Sequence, residues 1–550
     1  MRKIFVASSV LVVLALAIIV SFNPGLWWLF LIVAPLILLG IYDMIQKSHA
    51  ILRNFPIVGH LRYISEAHAP KLRQYFEESN TEGRPFTRLQ RNFVYQRAKN
   101  TLETHPFGTE LDATVPGYYW MAHSMYPREE MDEPIRIKFG GSECTKPYSA
   151  SIFNVSAMSY GSLGKNAVRA LSRGAKMGDF YVNTGEGGIS PYHLEGGGDL
   201  VWQIGTAYFG CRKADGTFSE EDFKEKSNHP NVKMIEVKLS QGAKPGLGGL
   251  LPAEKNTPEI AAIRGIKPYK MVHSPPGHHA FSDAKGLLHF VSKLRELSGG
   301  KPVGFKLCIG SRQEFINICK AMLTTGIRPD FITVDGGEGG TGAAPIEFSD
   351  SVGMPLNEGL VFVCDTLNGY GLKKDLKVIA TSKILTGFDI IRAMCIGADA
   401  CNGARSMMFA IGCIQALECD TNNCPVGITT QRKDLQKGLD PADKAVRLYN
   451  YHDETVSSAM SLLAAAGLED LTKLNRSYIH KKVDEYHTYP LAYMFPSVEY
   501  GSYLKEDKEP EAYGEDLRFH LEGQPQRTGP VDTQKEGDYP KGEKRKRDVP

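Results

Sequence analysis

Residues 331–342 read FITVDGGEGGTG, a short apolar run that leads directly into a glycine-rich loop. A β-branched and aromatic run of this length, bounded by glycines, predicts a buried strand. Upstream, residues 303–307 (VGFKL) alternate around a lysine and predict another strand. Residues 311–326 lie between the two and carry apolar side chains at helical spacing, with a serine before them as a cap and a glycine after them as a stop. The stretch is therefore predicted to be a strand–helix–strand unit.

The same alternation of strand, loop and helix continues along residues 150–432. Residues 377–380 and 398–401 predict two more strands, and residues 388–396 between them predict a helix. Repeated units of this kind indicate a parallel sheet, and their total length favours an α/β fold of the (β/α)8 TIM barrel type. A doubly wound open sheet is the alternative. No G-x-G-x-x-G follows a strand in a dinucleotide-binding context, so we expect no NAD(P)H site in this chain.

Three cysteines follow the last predicted strand at short spacing. Cys413, Cys419 and Cys424 are separated by five and then four residues, and Pro425 follows the last of them. Thiolates at such spacing indicate an iron–sulfur site. Zinc is the main alternative, but zinc sites favour tighter pairs and a fourth ligand. Three buried structural thiols are the other alternative. With three cysteines and no fourth, a three-iron cluster is favoured over a four-iron cluster.

Five motifs in this order resemble one family. They are NTGEGG (183–188), QGAKPGLGG (241–249), SPPGHH (274–279), GGTGAAP (339–345) and GCIQALECDTNNCPVGITTQ (412–431). The chain resembles the FMN-binding glutamate synthase family over about residues 150–432, and the cysteine spacing is similar to that of the family's three-iron cluster. The resemblance implies bound FMN and a [3Fe-4S] cluster held by the three cysteines.

The resemblance also implies a set of site residues. Gln241, Lys244 and Arg264 match family positions that hold 2-oxoglutarate or its imine, since a dicarboxylate needs cationic partners. Glu186 matches a carboxylate that handles protons beside the flavin. The residues expected to bind FMN are Met158, Ser159, Gln203, Lys306, Gly339, Gly340, Thr341, Thr381, Ser382, Gly403, Ala404 and Arg405.

Two of these assignments also rest on the sequence pattern. A barrel that binds a phosphate does so at the loops after its last two strands, which here are residues 381–383 and 403–405. The alternative is that these small residues only permit turns. Lys306 lies in an otherwise apolar strand, where a charge is costly unless it is paired, so a partner is expected. A purely structural ion pair is the alternative for this lysine.

The chain departs from the family pattern at several positions. Leu247 and Leu250 stand where a Glu and a Gln are expected, which puts the substrate and the handling of ammonia in doubt. Tyr208 stands where an Arg is common, and Thr381-Ser382 replaces an Asp-Gly-Gly. His278 and His279 are adjacent and are interpreted as shaping their loop, not as metal ligands. No amidotransferase domain is recognised, so ammonia is expected from solution or from a separate glutaminase.

The N-terminal residues predict a membrane hairpin. Residues 4–22 are apolar, residues 23–25 break the run, and residues 26–41 form a second run with two tryptophans at its start. A cleaved signal peptide is the alternative, disfavoured by the length of the run and the second span. Basic residues flank both ends of the pair, so we expect a two-pass protein of the cell inner membrane with its catalytic domain in the cytoplasm.

The other predicted regions flank the barrel. Residues 1–46 form the hairpin, 47–149 a helical neck and irregular lead-in, 433–504 a helical packing region, and 505–550 a disordered charged tail. A net charge of +2 argues against a nucleic-acid partner. The ten cysteines show no disulfide framework.

The predicted activity is reduction of a 2-imino acid, most simply 2-iminoglutarate, to an amino acid in glutamate biosynthesis. Electrons would come from a donor protein such as ferredoxin or from membrane quinone. One alternative is an FMN-dependent dehydrogenase that oxidises an amine or a hydroxy acid and passes electrons to membrane quinone. Another is a redox module without turnover, although such a carrier has no need of a dicarboxylate-binding set.

Overall fold

The computed structural model describes residues 1–101, 104, 106–131, 133–505 and 533. They fall into two compact units, with Met1–Arg88 in one and Leu89 onward in the other. The predicted disordered tail lies outside the described residues, apart from Lys505 and Thr533. Thr533 is buried. Its carbonyl oxygen accepts from the backbone N–H of His273 at 3.0 Å, and its hydroxyl accepts from Arg212 at 3.1 Å.

The first unit begins with two apolar helices. The helix Arg2–Phe22 ends at Asn23, and a 3-10 turn (Pro24–Leu29) leads into the helix Phe30–Ile45. The segments Arg2–Phe22 and Pro24–Ile45 are long and apolar enough to cross a membrane, with mean hydropathies of 2.9 and 2.2. They pack closely at Gly40, where an added Cβ would lie 2.1 Å from the Phe5 ring. Shorter helices follow at Ala50–Asn54 and Gly59–Leu72, then a π-helical turn at Arg73–Glu77.

The second unit is built on a closed eight-stranded parallel barrel. In chain order its strands are Phe153–Val155, Tyr181–Asn183, Asp199–Ile204, Val232–Lys238, Val303–Leu307, Phe331–Asp335, Lys377–Thr381 and Ala400–Gly403. Each strand pairs with its neighbours in sequence, and the last pairs with the first. The predicted TIM barrel is therefore confirmed, and the open sheet is excluded because no edge strand remains.

Helices connect the barrel strands as the sequence pattern predicts. The helix Arg312–Thr325 starts after Ser311 and ends at Gly326, whose φ of 71° suits a residue without a side chain. The helix Gly387–Ile396 is capped by Thr386, whose side chain accepts from the backbone of Asp389. The other helices, the first of which begins at the last residue of the first unit, are Arg88–Ala98, Lys165–Met177, Pro191–Glu195, Glu220–Ser227, Pro258–Arg264, Ala284–Leu297, Ile346–Ser351, Leu356–Gly369, Arg405–Ala410, Lys433–Gln436, Pro441–Ala465, Leu491–Met494 and Ser502–Lys505.

A hairpin packs against the interior of the barrel. Arg136–Phe139 pairs antiparallel with Tyr148–Ser151, within a stretch expected to be irregular. Its alternation of basic and apolar residues places Phe139 in a buried cluster with barrel residues. Phe139 meets Phe331 of the sixth barrel strand edge-on, with ring centroids 5.8 Å apart. The N-terminal half of the barrel is therefore filled with side chains, which leaves the C-terminal ends of the strands for the site.

The C-terminal region mixes a long helix with short strands. Pro441–Ala465 packs on Lys165–Met177 and on Gly387–Ile396. Glycines permit this approach: a Cβ at Gly387 would lie 2.6 Å from the backbone nitrogen of Ala459. Beyond the helix, Ile479–Lys482 and Thr488–Pro490 form a small sheet with Tyr119–Met121. This part of the predicted helical packing region is therefore not helical.

Candidate functional site

The candidate residues gather where the barrel strands end. Gln203, Lys306 and Thr381 lie within the last residues of their strands, while Met158–Ser159 and Glu186 follow the first and second strands. The hydroxyl oxygens of Ser156 and Thr381 are 3.1 Å apart, which joins the first loop to the end of the seventh strand. Parallel strands bring these loops to one end of the barrel, which is the usual position of the active site in this fold.

One carboxylate, whose side chain is 16% exposed, faces three buried cations at this end. The Glu186 carboxylate and the Lys238 ammonium are 3.0 Å apart, and the charges of Lys244 and Arg264 also act on Glu186. Burial by itself would raise the pKa of Glu186. The three cations outweigh burial, so the pKa of Glu186 is lowered and the carboxyl group is ionised. Cations exceed carboxylates by two in this group, which we call the charged cluster.

Burial makes two cations of the charged cluster, Lys244 and Arg264, easier to deprotonate. It lowers the pKa of Lys244 to about 8, helped by Lys238 and opposed by Glu186. It lowers the pKa of Arg264 to about 10, again opposed by Glu186. The ammonium of Lys244 donates to the carbonyl oxygen of Ala343 at 2.9 Å. A further anion in this site would favour the charged form of both side chains.

Arg264 is held at the end of a short helix. Pro258–Arg264 is capped by the Thr257 side chain and stops at Gly265, whose φ is 67°. The guanidinium donates through Nη2 to the carbonyl oxygen of Tyr160 at 3.1 Å and lies 5.0 Å from the centre of the Phe209 ring. Its Nε is buried and has no hydrogen-bond partner among the described residues. A buried donor without a partner is a candidate for a ligand contact.

Glycines make room for Glu186. A Cβ at Gly249 would lie 2.1 Å from the Glu186 carboxylate, and a Cβ at Gly205 would lie 2.6 Å from its side chain. Neither could be tolerated without moving the carboxylate. Gly249 of the QGAKPGLGG motif is therefore required because a side chain there would collide with the Glu186 carboxylate.

Two motif loops meet beside the charged cluster. The Gln241 side-chain amide donates to the Thr341 hydroxyl at 3.3 Å, and Lys244 contacts the neighbouring Ala343. A Cβ at Gly242 would lie 1.9 Å from the carbonyl oxygen of Gly336. The structure thus brings together the 241–249 and 339–345 loops, which are far apart in sequence.

Lys306 has the carboxylate partner that its position required. Its ammonium lies 3.0 Å from Asp335 of the neighbouring strand. Burial opposes the charge, but Asp335 and Glu236 outweigh it and raise the pKa of Lys306. Lys306 is therefore a fixed cation at the barrel mouth.

Gln203 is engaged with a buried carboxylate. Its amide donates to Glu236 at 2.6 Å, and Asn183 donates to the same carboxylate oxygen at 2.8 Å. Thr333 donates to the other oxygen at 2.6 Å. These three donors stabilise a carboxylate inside the barrel.

The loops after the last two strands contain one unpartnered group. The Ser382 hydroxyl is buried and has no hydrogen-bond partner among the described residues. The guanidinium of Arg405 donates to the carbonyl oxygen of Glu338, and a Cβ at Gly340 would lie 2.7 Å from its Nε. Gly339 donates to Gly336, and Gly403 is buried next to the half-buried Ala404. An unpartnered hydroxyl beside small residues fits a phosphate oxygen.

The hydroxyl of Tyr208 holds the SPPGHH loop in place through hydrogen bonds. The Tyr208 hydroxyl accepts from the backbone N–H of Ala280 at 3.0 Å and lies 3.2 Å from Nδ1 of His278. The other ring nitrogen of His278 lies 2.8 Å from the carbonyl oxygen of Lys238. Burial lowers the pKa of His278 to about 4, so the ring is neutral. The contacts of His278 are those of a loop-shaping residue.

The three cysteines lie in a loop with unusual backbone. Gln415, Leu417 and Asn422 have φ values of 57°, 57° and 62°, which side chains other than glycine rarely adopt. Burial raises the pKa of the Cys413 thiol to about 12, and Cys419 and Cys424 add to the rise. Within the part of the chain that the structure describes, no group of three or more His, Cys, Asp or Glu side chains is arranged to hold a metal. The expected ligand set is therefore present, but its sulfur atoms are not gathered into a metal site.

Comparison with known proteins decides the family. The model of the conserved region in glutamate synthase matches residues 130–469. The chain belongs to the glutamate synthase family. It is 39% identical over 499 residues to the glutamate synthase large subunit-like protein YerD of Bacillus subtilis, which covers 82% of this chain and 94% of that protein. As a member of this family it is an oxidoreductase that acts on the CH–NH2 group of donors.

Other members of the glutamate synthase family match over part of their length. The archaeal glutamate synthase [NADPH] of Methanocaldococcus jannaschii is 33% identical over 58% of this chain and 60% of its own length. The ferredoxin-dependent glutamate synthase of Antithamnion sp. is 35% identical over 46% of this chain and 16% of its own length. Among solved structures, a mandelate oxidase mutant with benzaldehyde has a TM-score of 0.41 at 13% identity, covering 73% of this chain and 98% of that one.

Sequence reasoning missed several residues of this glutamate synthase family site. Lys238, Glu236 and Asp335 all lie in barrel strands and pair with predicted residues. The sequence feature that could have identified them is a charged side chain within an apolar run, because a buried charge is costly unless it is paired. That signal was used for Lys306 and applies equally to the other three. It does not identify the partner, because partners come from different strands.

The ion pair between Glu186 and Lys238 offers a matched test of the charged cluster. We expect Glu186→Gln to lower the free energy of unfolding by about 3–5 kcal/mol, because it leaves buried cations without a carboxylate. Lys238→Met breaks the same pair but leaves Glu186 with Lys244 and Arg264, so its cost should be smaller. Denaturant unfolding of both variants checks this order. If Lys238→Met lowered the free energy of unfolding as much as Glu186→Gln or more, Glu186 would not be the carboxylate that balances the buried cations.

Proposed function

We propose that this protein is a membrane-anchored FMN and iron–sulfur glutamate synthase that reduces 2-iminoglutarate, formed from 2-oxoglutarate and ammonia, to glutamate. The observation that carries the proposal is the charged cluster at the barrel mouth, where buried cations exceed carboxylates by two. A bound dicarboxylate would balance that excess, whereas a neutral substrate would leave it uncompensated.

Arg264 and Lys244 are the residues proposed to bind the substrate carboxylates. The buried Nε of Arg264 lacks a partner, and its guanidinium can grip a carboxylate bidentately. Lys244 supplies a second cation, and Gln241 lies in the same loop. Leu247 lies in this loop and Leu250 begins the two-residue strand that follows it, and both side chains are less polar than the Glu and Gln expected there.

Glu186 and Lys244 are proposed to move protons during imine formation. The step removes two protons from the attacking ammonia nitrogen and gives two to the carbonyl oxygen, which leaves as water. Glu186 is ionised and can accept a proton, and Lys244 has a pKa of about 8 and can return one. One carboxylate and one ammonium with a pKa near neutrality therefore provide the base and the acid.

The residues at the barrel mouth fit FMN. The unpartnered Ser382 hydroxyl and the adjoining Thr381, Gly403 and Ala404 would hold the phosphate. Lys306 is a fixed cation that would stabilise negative charge on the reduced ring, supported by Asp335. The expected ring contacts of Met158, Ser159 and Gln203 and the loop Gly339–Thr341 remain part of this proposal. Bound FMN would supply the hydride that reduces the imine.

The electron donor is proposed to be a ferredoxin-like protein. One relative is named as ferredoxin-dependent and others are named with NADPH. Ammonia is proposed to come from solution or from a separate glutaminase. The dehydrogenase alternative, with electrons passing to membrane quinone, is favoured by one observation, the pair of apolar helices.

Those two helices are proposed to cross the cell inner membrane. Their apolar windows are only 6% and 11% buried within the protein, so the apolar surface needs another cover. Basic residues at both ends favour an orientation in which the two ends, and the barrel with them, lie on the cytoplasmic side.

Cys413, Cys419 and Cys424 are proposed to bind a [3Fe-4S] cluster. Three soft thiols in one loop suit iron–sulfur chemistry. The buried Lys255 lies beside them, and its ammonium donates to the carbonyl oxygen of Cys419 at 2.6 Å. A buried cation would offset the negative charge of coordinated thiolates. The strained backbone at Gln415 and Leu417 is of the kind that accumulates at functional sites.

Turnover tests the proposed function directly. The purified protein, reduced by light under anaerobic conditions, should be reoxidised by 2-oxoglutarate plus ammonium, with glutamate as the product. Arg264→Ala should weaken 2-oxoglutarate binding by about a hundredfold, because a bidentate charged contact is lost. Arg212→Ala is the matched control, since Arg212 lies over the same Phe209 ring but does not belong to the charged cluster. Glutamate oxidation coupled to quinone, without the reductive reaction, would favour the dehydrogenase.

The binding of 2-oxoglutarate should depend on pH through Lys244. Its pKa is lowered to about 8, so it is charged below that pH and neutral above it. Affinity for the dicarboxylate should therefore be highest below pH 8 and fall as the pH rises through it. Titrations of the flavin spectrum on both sides of this pH measure the effect. Lys244→Met should bind weakly and without this step, and an unchanged step in that variant would assign it to another group.

Iron analysis tests the cluster proposal. The anaerobically purified protein should contain about three irons per chain, because three cysteines are offered as ligands. Cys413→Ser, Cys419→Ser and Cys424→Ser should each lose the iron and keep FMN. Cys144→Ser is the control, since this half-buried thiol lies outside the loop. Full iron retention in all three variants, or zinc in its place, would contradict the assignment.

A further inference from the structure

The helix Gly59–Leu72 has almost no tertiary cover within the first unit. Gly59 is its one buried residue, and His60, Tyr63 and Glu66 are partly covered along one side. Helices of this length are only marginally stable in water unless an apolar face packs against something. Something beyond the described residues of this unit therefore has to cover the helix.

The side turned away from the covered residues is apolar and exposed. Leu61, Ile64 and Leu72 share this face and are 64%, 55% and 50% exposed, and Ser65 and His68 lie between them. The turn that follows adds Phe76 at 82% exposed. Large apolar side chains exposed together mark an interaction surface.

The start of the helix is fixed to the end of the second apolar helix. Asp43, in the last turn of Phe30–Ile45, is fully buried and accepts from the backbone N–H of Ile57 at 2.9 Å. Its carboxylate also lies 2.9 Å from Nε2 of His60, in the first turn of Gly59–Leu72. Gly59 packs on Leu52, with a Cβ position 2.9 Å from its side chain. The exposed face therefore begins directly where the second apolar helix ends.

The charges along this segment favour an anionic surface. Residues 47–77 hold five Lys or Arg and two Glu. Arg62 and Arg73 border the apolar face on one side and Lys71 on the other, and long basic side chains at such positions can reach lipid headgroups while their stems cover apolar surface. Anionic lipids attract basic segments next to a membrane span.

We propose that Gly59–Leu72 is an interfacial helix, which lies on the bilayer with Leu61, Ile64 and Leu72 in contact with lipid. The occupant of the exposed face is the membrane surface, because the face is continuous with the apolar hairpin and bordered by basic residues. This inference rests on the proposed membrane location of the hairpin. It adds a second membrane contact, with its own residues, and the segment predicted to be a polar neck becomes part of the anchor.

Photocrosslinking to lipid tests the interfacial helix in the full chain. The protein carries benzoylphenylalanine at Ile64 or, as the control, at Pro70, which is exposed one turn after Glu66 on the other side of the same helix. Both forms are reconstituted in vesicles of phosphatidylcholine and phosphatidylglycerol. We expect lipid adducts from position 64, few or none from position 70, and fewer adducts at position 64 when phosphatidylglycerol is omitted.

The other outcomes overturn the proposal in distinguishable ways. A chain that floats with the vesicles but gives no lipid adduct at position 64, or equal adducts at both positions, excludes the interfacial helix and leaves the hairpin in the membrane. Crosslinks from position 64 to a second copy of the chain would assign the face to a dimer. A chain that does not float with the vesicles would overturn both the hairpin and the helix.

Discussion

The cost of burying charge governs the site of this protein. Glu186 and three cations lie together at the end of a closed barrel, where water is largely excluded. Each of these groups would be strongly destabilising alone, so their positions are tied to one another. The pair of Lys306 and Asp335 and the carboxylate of Glu236 obey the same constraint a few residues away. The barrel mouth is thus a set of mutually dependent charges, preorganised before any ligand arrives.

This arrangement of charges depends on glycines that let loop backbones approach the Glu186 side chain and each other closely. Gly249 and Gly205 let two loops approach the Glu186 carboxylate, and Gly242 lets the 241–249 loop touch the sixth-strand loop. The hairpin that carries Phe139 fills the interior of the barrel. The N-terminal end of the barrel is therefore filled with apolar side chains, and the C-terminal end holds the charged residues, as is typical of this fold.

The first unit and the barrel unit differ in how they cover their apolar residues. The barrel buries its apolar residues within itself, as the fully buried Phe331 and Ile379 illustrate. The first unit leaves most apolar side chains of its two long helices exposed. In that unit the buried Asp43 carboxylate contacts the backbone of Ile57 and the ring of His60, and it thereby fixes the chain that follows the second apolar helix.

The sequence by itself determined the barrel and the motifs of the family. The period of the apolar residues, the cap at Ser311 and the stop at Gly326 were sufficient for the helix between the fifth and sixth strands, because these are local properties of the backbone. The sequence indicated that Lys306 needs a carboxylate partner, but it did not identify which residue that partner is. The hairpin at 136–151 and the small sheet after Ile479 were missed, because short strands carry little periodic signal.

Only the tertiary structure decided which charges meet. Lys238 of the fourth barrel strand pairs with Glu186 after the second strand, Tyr208 contacts His278, and the 241–249 and 339–345 loops touch, all through contacts between residues far apart in sequence. The cysteine spacing was plain from the sequence, whereas the positions of the sulfur atoms depend on how a strained loop folds against the barrel. The sequence specifies local conformation through nearest neighbours, and closure of the barrel then selects the pairs, because a buried charge is stable only beside its partner.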